Sequence, residues 1–441
     1  MEGIEDMLIE KIENKSALVV VVGMGYVGLP LAVGNARTGY RVIGIEHNPV
    51  KLGKINRGEN YIVDVDNDEF KNLVVEKKRL SGTEDFGVIR DADIVIICVP
   101  TPLSKNKEPD ISYIQLSIEE ISKYIHKDML IIVESTTYPG TTEEVILPRL
   151  KESRLEAGKD FYLAFSPERV DPGNKKFKVD NTSKIVGGMT ERCLDIARKF
   201  YQQSINRIIP VSSPRVAEMT KVFENIFRSV NIALVNELVM LCERMKIDVY
   251  EVIDAAASKD FGFMPFYPGP GIGGHCIPLD PYYLAWKSRE YDIHTKFIEL
   301  AGEINENMPY FVVNKLSKIL NINSKCLRGA DILLLGVAYK KDIDDMRESP
   351  ALKIIEILER HKADISYHDP YVDEFYIEDR YYKSVELTDK ALESADCVII
   401  VTDHTLFDYD YIVDKAMVIF DTRNGTKHIT NKREKIIRLS D

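Results

Sequence analysis

Short, largely apolar runs rich in β-branched residues recur along the first half of the chain, at 18–22, 41–45, 94–99 and 130–133. Each is too short for a helix and lacks polar alternation, the pattern of strands covered on both faces. Helical spacing separates them, which predicts a parallel α/β sheet. A second set at 332–335, 364–367, 397–401 and 417–420 predicts another, smaller α/β unit. Between the two, 213–245 carries no Gly or Pro after Pro214 and repeats its apolar residues at helical intervals. It predicts one continuous helix, about 50 Å long at 1.5 Å per residue, with spare apolar surface suited to a dimer contact. A glycine-proline loop at 265–274 interrupts the helical region that follows.

The first run leads directly into Gly23-Met24-Gly25-Tyr26-Val27-Gly28 and then a helical segment. In that context the glycines let backbone approach a pyrophosphate at a helix N-terminus. Glu46 closes the second run, 18 residues after Gly28, where a carboxylate can accept both hydroxyls of an adenosine ribose and would repel a 2'-phosphate. No arginine follows at once, so NAD is expected rather than NADP. Lys51 lies a few residues on. Val99-Pro100-Thr101-Pro102 and Ser135-Thr136-Thr137 end two later strands, the sheet edge where ligands bind in such folds; each alone is equally a plain strand exit. The expected fold is α/β, with two Rossmann-like parallel-sheet domains joined by a long central helix and a helical middle domain. The boundaries fall at 1–210, 211–325 and 326–441.

At 441 residues the chain exceeds the size of a single core. The N-terminal stretch alternates acidic and apolar residues unlike a secretion signal, and no unbroken apolar run approaches the roughly 20 residues of a membrane span, so a cytoplasmic protein without a membrane partner is expected. Six cysteines, at 98, 193, 242, 276, 326 and 397, stand singly; no metal site or disulfide framework is indicated. A formal charge of -12 argues against nucleic acid as a partner. An anionic small substrate would need local cations.

The segment Gly271 to Pro281 carries the most chemistry. Asp280-Pro281 predicts the cap and first position of a helix, placing Cys276 just before a helix N-terminus, where a thiol becomes a nucleophile. Gly271, Gly273 and Gly274 would expose backbone donors beside it, as an oxyanion site needs. Equally, Cys276 suits packing, Asp280 capping and the glycines a hinge. Lys221, Asn225 and Arg228 share one stripe of the long helix that continues as Ile232, Val235 and Val239; polar residues prolonging a core stripe suggest a ligand cavity, the plain alternative being side chains reaching solvent. Glu168-Arg169-Val170 follow another strand end and offer a carboxylate beside a cation.

These segments closely resemble the UDP-glucose/GDP-mannose dehydrogenase family over about 18–422. The matching stretches are GMGYVGLP, VPTP, ESTTYPGTT, SPERVDPGN, EMTKVFENIFRSVNIALVNE, PGPGIGGHCIPLDP and GVAYKKDIDDMRESP. The resemblance implies a four-electron oxidation of a sugar CH2OH to a carboxylate with two NAD per sugar, through a thioester on Cys276. It further implies that Lys221 and Asn225 stabilise the reacting oxygen, that Asp280 and Thr136 hold a proton-accepting water, and that Glu168 assists thioester hydrolysis. Arg169, Val170, Arg228, Phe266, Gly271, Gly274 and Lys340 become substrate contacts and Arg347, before a helix capped by Ser349-Pro350, a cofactor contact; the C-terminal unit would hold the nucleotide. His275 and Leu279 replace the serine and lysine typical of plain-hexose members and favour a UDP-N-acetylhexosamine. UDP-N-acetylglucosamine is expected first, UDP-N-acetylmannosamine second and UDP-glucose last. A homodimer is expected. A two-electron hydroxyacid-type dehydrogenase and a non-catalytic sugar-nucleotide sensor are the competing classes.

Overall fold

The computed structural model describes residues 2–104, 106–169 and 181–441, without the side chains of 2–6. Val170 and most of the SPERVDPGN stretch therefore lie outside the described residues. The chain divides into two compact units, Met1–Glu224 with Tyr282–Ile293, and Asn225–Pro281 with His294–Asp441. The stretch 211–325 is thus shared between them. The helix Pro214–Met245 belongs to the first unit through Glu224 and to the second from Asn225.

The first unit holds an eight-stranded sheet: β1 (Leu18–Val22), β2 (Arg41–Ile45), β3 (Leu80–Thr83), β4 (Ile94–Ile97), β5 (Leu130–Val133), β6 (Tyr162–Phe165), β7 (Lys184–Gly188) and β8 (Ile208–Val211). Their order is β3-β2-β1-β4-β5-β6-β7-β8. The first six are parallel, in the strand order of dinucleotide-binding folds. β7 departs from the expected all-parallel sheet: it runs antiparallel to β6 and β8 joins it in parallel. The unbroken apolar runs have a direct cause. Val19 and Val21 enter one core while Val20 and Val22 enter the other, and Ile94 to Ile97 and Leu130 to Val133 split in the same way, so both faces are covered and no position tolerates a polar side chain.

The second unit carries a parallel five-stranded sheet of β9 (Asp331–Leu335), β10 (Asp364–His368), β13 (Cys397–Ile400), β14 (Ile419–Asp421) and β15 (Ile436–Arg438), in the order β10-β9-β13-β14-β15. A separate hairpin pairs β11 (Glu374–Ile377) with β12 (Arg380–Lys383). Strand order reverses between β9 and β13, which makes their carboxyl ends a ligand crevice. The long helix is continuous, as its spacing predicts, and Val235, Val239 and Cys242 pack into the core of this unit. By length and composition alone it is also apolar enough to cross a membrane, with 44% of its most apolar window buried inside the protein. It contains no unbroken apolar run of that length because Arg228 and Glu237 interrupt its sequence.

Candidate active site

In the first unit, β1 ends at the glycine loop and the helix Gly28–Thr38 begins at the third glycine. Gly23 has φ +90, and a Cβ on Gly28 would sit 1.8 Å from the Gly23 carbonyl oxygen; only glycine at both positions permits this turn. Nothing lies within 4 Å of where a Cβ on Gly25 would point. The helix start has neither an acidic first turn nor a side-chain cap, so nothing opposes an anion at its positive end, although the Leu29 amide is already bonded to the Gly25 carbonyl. Glu46 accepts from the backbone amides of Met24 (3.3 Å) and Asn48 (2.9 Å), which places its carboxylate against the loop. Tyr26 is exposed and Val27 is the residue preceding the helix. Lys51 donates its amide to the Asn48 side chain and its ammonium lies 6.0 Å from the Tyr61 ring centre. This arrangement fits a dinucleotide: an uncapped helix N-terminus beside open space at Gly25 for the pyrophosphate and a carboxylate for the ribose.

At the same edge Pro100 is exposed, and Thr101 is buried with its carbonyl accepting from the Tyr283 hydroxyl. Thr136 is half-buried, and the buried Thr137 hydroxyl has no hydrogen-bond partner among the described residues. Glu218 ties the ESTTYPGTT segment to the long helix. Its carboxylate, fully buried, accepts from the amides of Gly140 (2.6 Å) and Thr142 (2.9 Å) and from the Thr142 hydroxyl (2.6 Å). One turn further on, Lys221 is buried and donates to the Glu168 carbonyl at 2.7 Å. Arg169, expected at the substrate, donates to Glu224 (2.6 Å) and the Ser183 carbonyl (2.7 Å). Its charge is largely offset within its own unit.

The helix Asp280–Ser288, whose residues from Tyr282 belong to the first unit, begins at Asp280 itself, so Asp280 is not the cap that its place before Pro281 predicts. Its side chain is buried and accepts from Asn225 Nδ2 at 2.6 Å. The Cys276 carbonyl accepts from the amides of Leu279 (3.2 Å) and Asp280 (2.9 Å), a turn that holds the half-buried cysteine immediately ahead of the helix. Arg228, third in the stripe, is exposed. The glycine loop corrects one expectation. The Gly274 amide donates to the Arg347 carbonyl at 2.8 Å and is therefore not an open oxyanion donor. The glycines are required because Cβ atoms on Gly273 and Gly274 would fall 2.5 and 2.8 Å from Tyr339, while Gly271, at φ +136, packs on Pro350.

Phe266 meets Phe227 edge-on at 5.9 Å between ring centres. Arg347 donates to Asp345 at 2.6 Å, and Ser349 caps the following helix as expected. Lys340 follows the end of β9. Sequence reading missed Arg423, two residues beyond β14. It donates from Nε to the Val401 carbonyl, and burial lowers its pKa against the pull of Asp403. The available signal was a cation at the carboxyl end of a parallel strand. Among the described residues, no group of three or more His, Cys, Asp or Glu side chains is placed to hold a metal ion.

Comparison with known proteins gives three consecutive matches to one family: its NAD binding domain over residues 17–205, its central domain over 215–307 and its UDP binding domain over 333–428. The chain belongs to the UDP-glucose/GDP-mannose dehydrogenase family. It is 37% identical over 391 residues, covering 88% of this chain and 90% of the relative, to the UDP-N-acetyl-D-mannosamine dehydrogenase of Pyrococcus horikoshii. It is also 37% identical over 362 residues, covering 81% and 84%, to the UDP-N-acetyl-D-glucosamine 6-dehydrogenase of Pseudomonas aeruginosa. A solved structure of the Pyrococcus horikoshii UDP-D-ManNAc dehydrogenase superposes with a TM-score of 0.87 at 34% identity, covering 96% of this chain and 99% of that one. Membership of the UDP-glucose/GDP-mannose dehydrogenase family makes the chain an NAD-dependent oxidoreductase, with its NAD binding domain over residues 17–205.

Proposed function

We propose that the protein oxidises the C6 hydroxymethyl of a UDP-N-acetylhexosamine, with UDP-N-acetylglucosamine first, to the uronic acid. The observation that carries this reading is the buried Asn225–Asp280 pair one helical turn from Cys276. A packing cysteine has no need of a fixed, desolvated carboxylate beside it. Bound NAD supplies the hydride acceptor. The family resemblance assigns Asp280 and Thr136 to the water that takes the hydroxyl proton, and Lys221 and Asn225 to the oxygen on which charge develops. Cys276 Sγ adds to the resulting aldehyde carbon, and loss of a second hydride leaves the thioester. Glu168 draws a proton from the water that attacks it, and the thiolate departs. Lys340 and Arg423 answer the diphosphate charge. His275 and Leu279 support the acetamido sugar. The UDP-N-acetylmannosamine relative supports that epimer as the second reading.

Incubating the protein and NAD with a panel of UDP-sugars tests this directly. The expected result is two NADH per sugar consumed, with acid as product, for an N-acetylhexosamine. A ratio near one with aldehyde or ketone accumulating would sink it.

We also infer a homodimer formed through the long helix. Phe223, Phe227, Leu234, Leu241 and Met245 are exposed and, at 3.6 residues per turn, fall within about 40° of one line along it. A mass equal to one 50.3 kDa chain by light scattering would refute this.

A further inference from the structure

Beneath the ends of β5, β6 and β7 lies a buried charge cluster of which the steps above employ only Glu168. Glu134, the first residue after β5, has a fully buried side chain. Lys184, which opens β7, places its ammonium 2.5 Å from Glu134 Oε2 and 3.8 Å from Glu168 Oε2. The Tyr201 hydroxyl donates to the other Glu134 oxygen, and the lysine ammonium lies 5.2 Å from the Tyr201 ring centre. Burial opposes the lysine's charge, yet the two carboxylates outweigh it and hold its pKa above the ordinary range.

The cluster is asymmetric in a useful way. Glu134 is sealed, whereas the Glu168 side chain keeps 15% of its surface. One cation therefore anchors on a carboxylate that cannot move and reaches a carboxylate that meets solvent. A second tether acts on the same residue: Lys221 binds the Glu168 carbonyl at 2.7 Å. Backbone and carboxylate of Glu168 are thus held from two directions by two buried lysines.

We propose that Lys184 is a positioning residue for thioester hydrolysis, fixed by Glu134 and Tyr201 and in turn fixing the Glu168 carboxylate. This rests on the reading of Glu168 as the group that accepts the proton from the attacking water. Hydride transfer, which precedes that step, does not use Lys184. Its loss therefore separates the two halves of the reaction: the enzyme still loads the sugar onto Cys276 but unloads it slowly.

A purely structural ion pair would be relieved by removing both charges together. The test is therefore the double variant Lys184→Met with Glu134→Gln, which removes the sealed pair together, retains the bond from Tyr201 and leaves only the partly exposed Glu168 carboxylate without its lysine. Thermal melting is expected near the wild-type midpoint, with KM little changed and kcat about 100-fold lower, the scale of a misplaced reacting group. After mixing with NAD and the UDP-sugar and quenching in acid, intact-protein mass should show the sugar adduct on most chains. Adduct clearing at the wild-type rate, or a loss confined to KM, overturns the inference. Should the double variant not melt cooperatively, Tyr201→Phe carries the test: it keeps both charges and releases Glu134 on one side, and an unchanged adduct lifetime there overturns it. The underlying reading fails differently. If Glu168→Gln turns over with no covalent mass ever found on Cys276, the thioester route itself is wrong.

Discussion

Cys276→Ser is expected to bind NAD and the UDP-sugar with nearly wild-type affinity and to release no measurable acid. Exchange of Sγ for Oγ removes almost no volume and leaves the backbone turn from the Cys276 carbonyl to the Leu279 and Asp280 amides in place, so binding and melting should be little altered. The chemistry changes far more. A thiol ionises near pKa 8.5 and a serine hydroxyl does not ionise in the working range, so capture of the aldehyde slows by several orders of magnitude. Any ester formed would also lack the good leaving group that makes a thioester hydrolyse. We expect acid formation to fall at least about 10⁴-fold, the scale of losing a covalent nucleophile. Calorimetry for the two ligands, with chromatography of the sugar acid, checks both halves. Acid released within tenfold of the wild-type rate would remove the covalent route.

The same residue shows what the sequence could disclose. Its place before a helix followed from Asp280-Pro281, yet that reasoning assigned Asp280 to capping. Asp280 is instead the first helical residue, and its buried side chain faces Asn225, 55 positions earlier. Local rules for helix starts carry no knowledge of a partner so distant in the chain. Gly274 failed for the opposite reason: glycine clusters are read as open backbone, and only the folded loop reveals the amide bonded to Arg347 and Tyr339 lying over it. Arg169 likewise pairs with Glu224, a partner 55 positions away that local sequence does not show.

Strands buried on both faces were legible almost to the residue, because a run such as Leu18–Val22 has no alternative use in a soluble fold. β3, β7 and β8 were not. Their sequences, LSGT, KIVGG and IIPV, mix glycine, lysine or proline into short segments; β3 and β8 lie at the sheet edges, which tolerate such residues, while β7 is buried between β6 and β8. Lys184 was invisible for the same reason. A lone lysine opening a strand resembles a solvated edge residue, and nothing short of the packed sheet brings Glu134 and Glu168 to it. Fold and reaction class rest on local patterns and on contiguous motifs; the electrostatic support of the site rests on residues 16 and 50 positions away from Lys184.

Two alanine substitutions in the glycine loop should separate its folding role from its binding role. Gly28→Ala drives a methyl to within 1.8 Å of the Gly23 carbonyl oxygen and 3.2 Å of Cys98 Cβ. Backbone cannot rotate away as a flexible side chain would, so the β1 turn must open. About 3 kcal/mol of overpacking is expected, a melting drop on the order of 10 °C, together with loss of NAD binding. Gly25→Ala has no heavy atom within 4 Å of the new methyl. It should melt at or slightly above the wild-type temperature, since the unfolded chain loses freedom. Yet that open space is where a pyrophosphate must approach the backbone, and a methyl there should weaken NAD binding by about 100-fold or more, as loss of close charge-assisted hydrogen bonds does. Melting curves and NAD titration by fluorescence distinguish the pair. A Gly25→Ala protein that binds NAD as the wild type does would mean the open side of the loop faces no cofactor, and a Gly28→Ala protein of unchanged stability would mean the loop is not held by the glycine contact described.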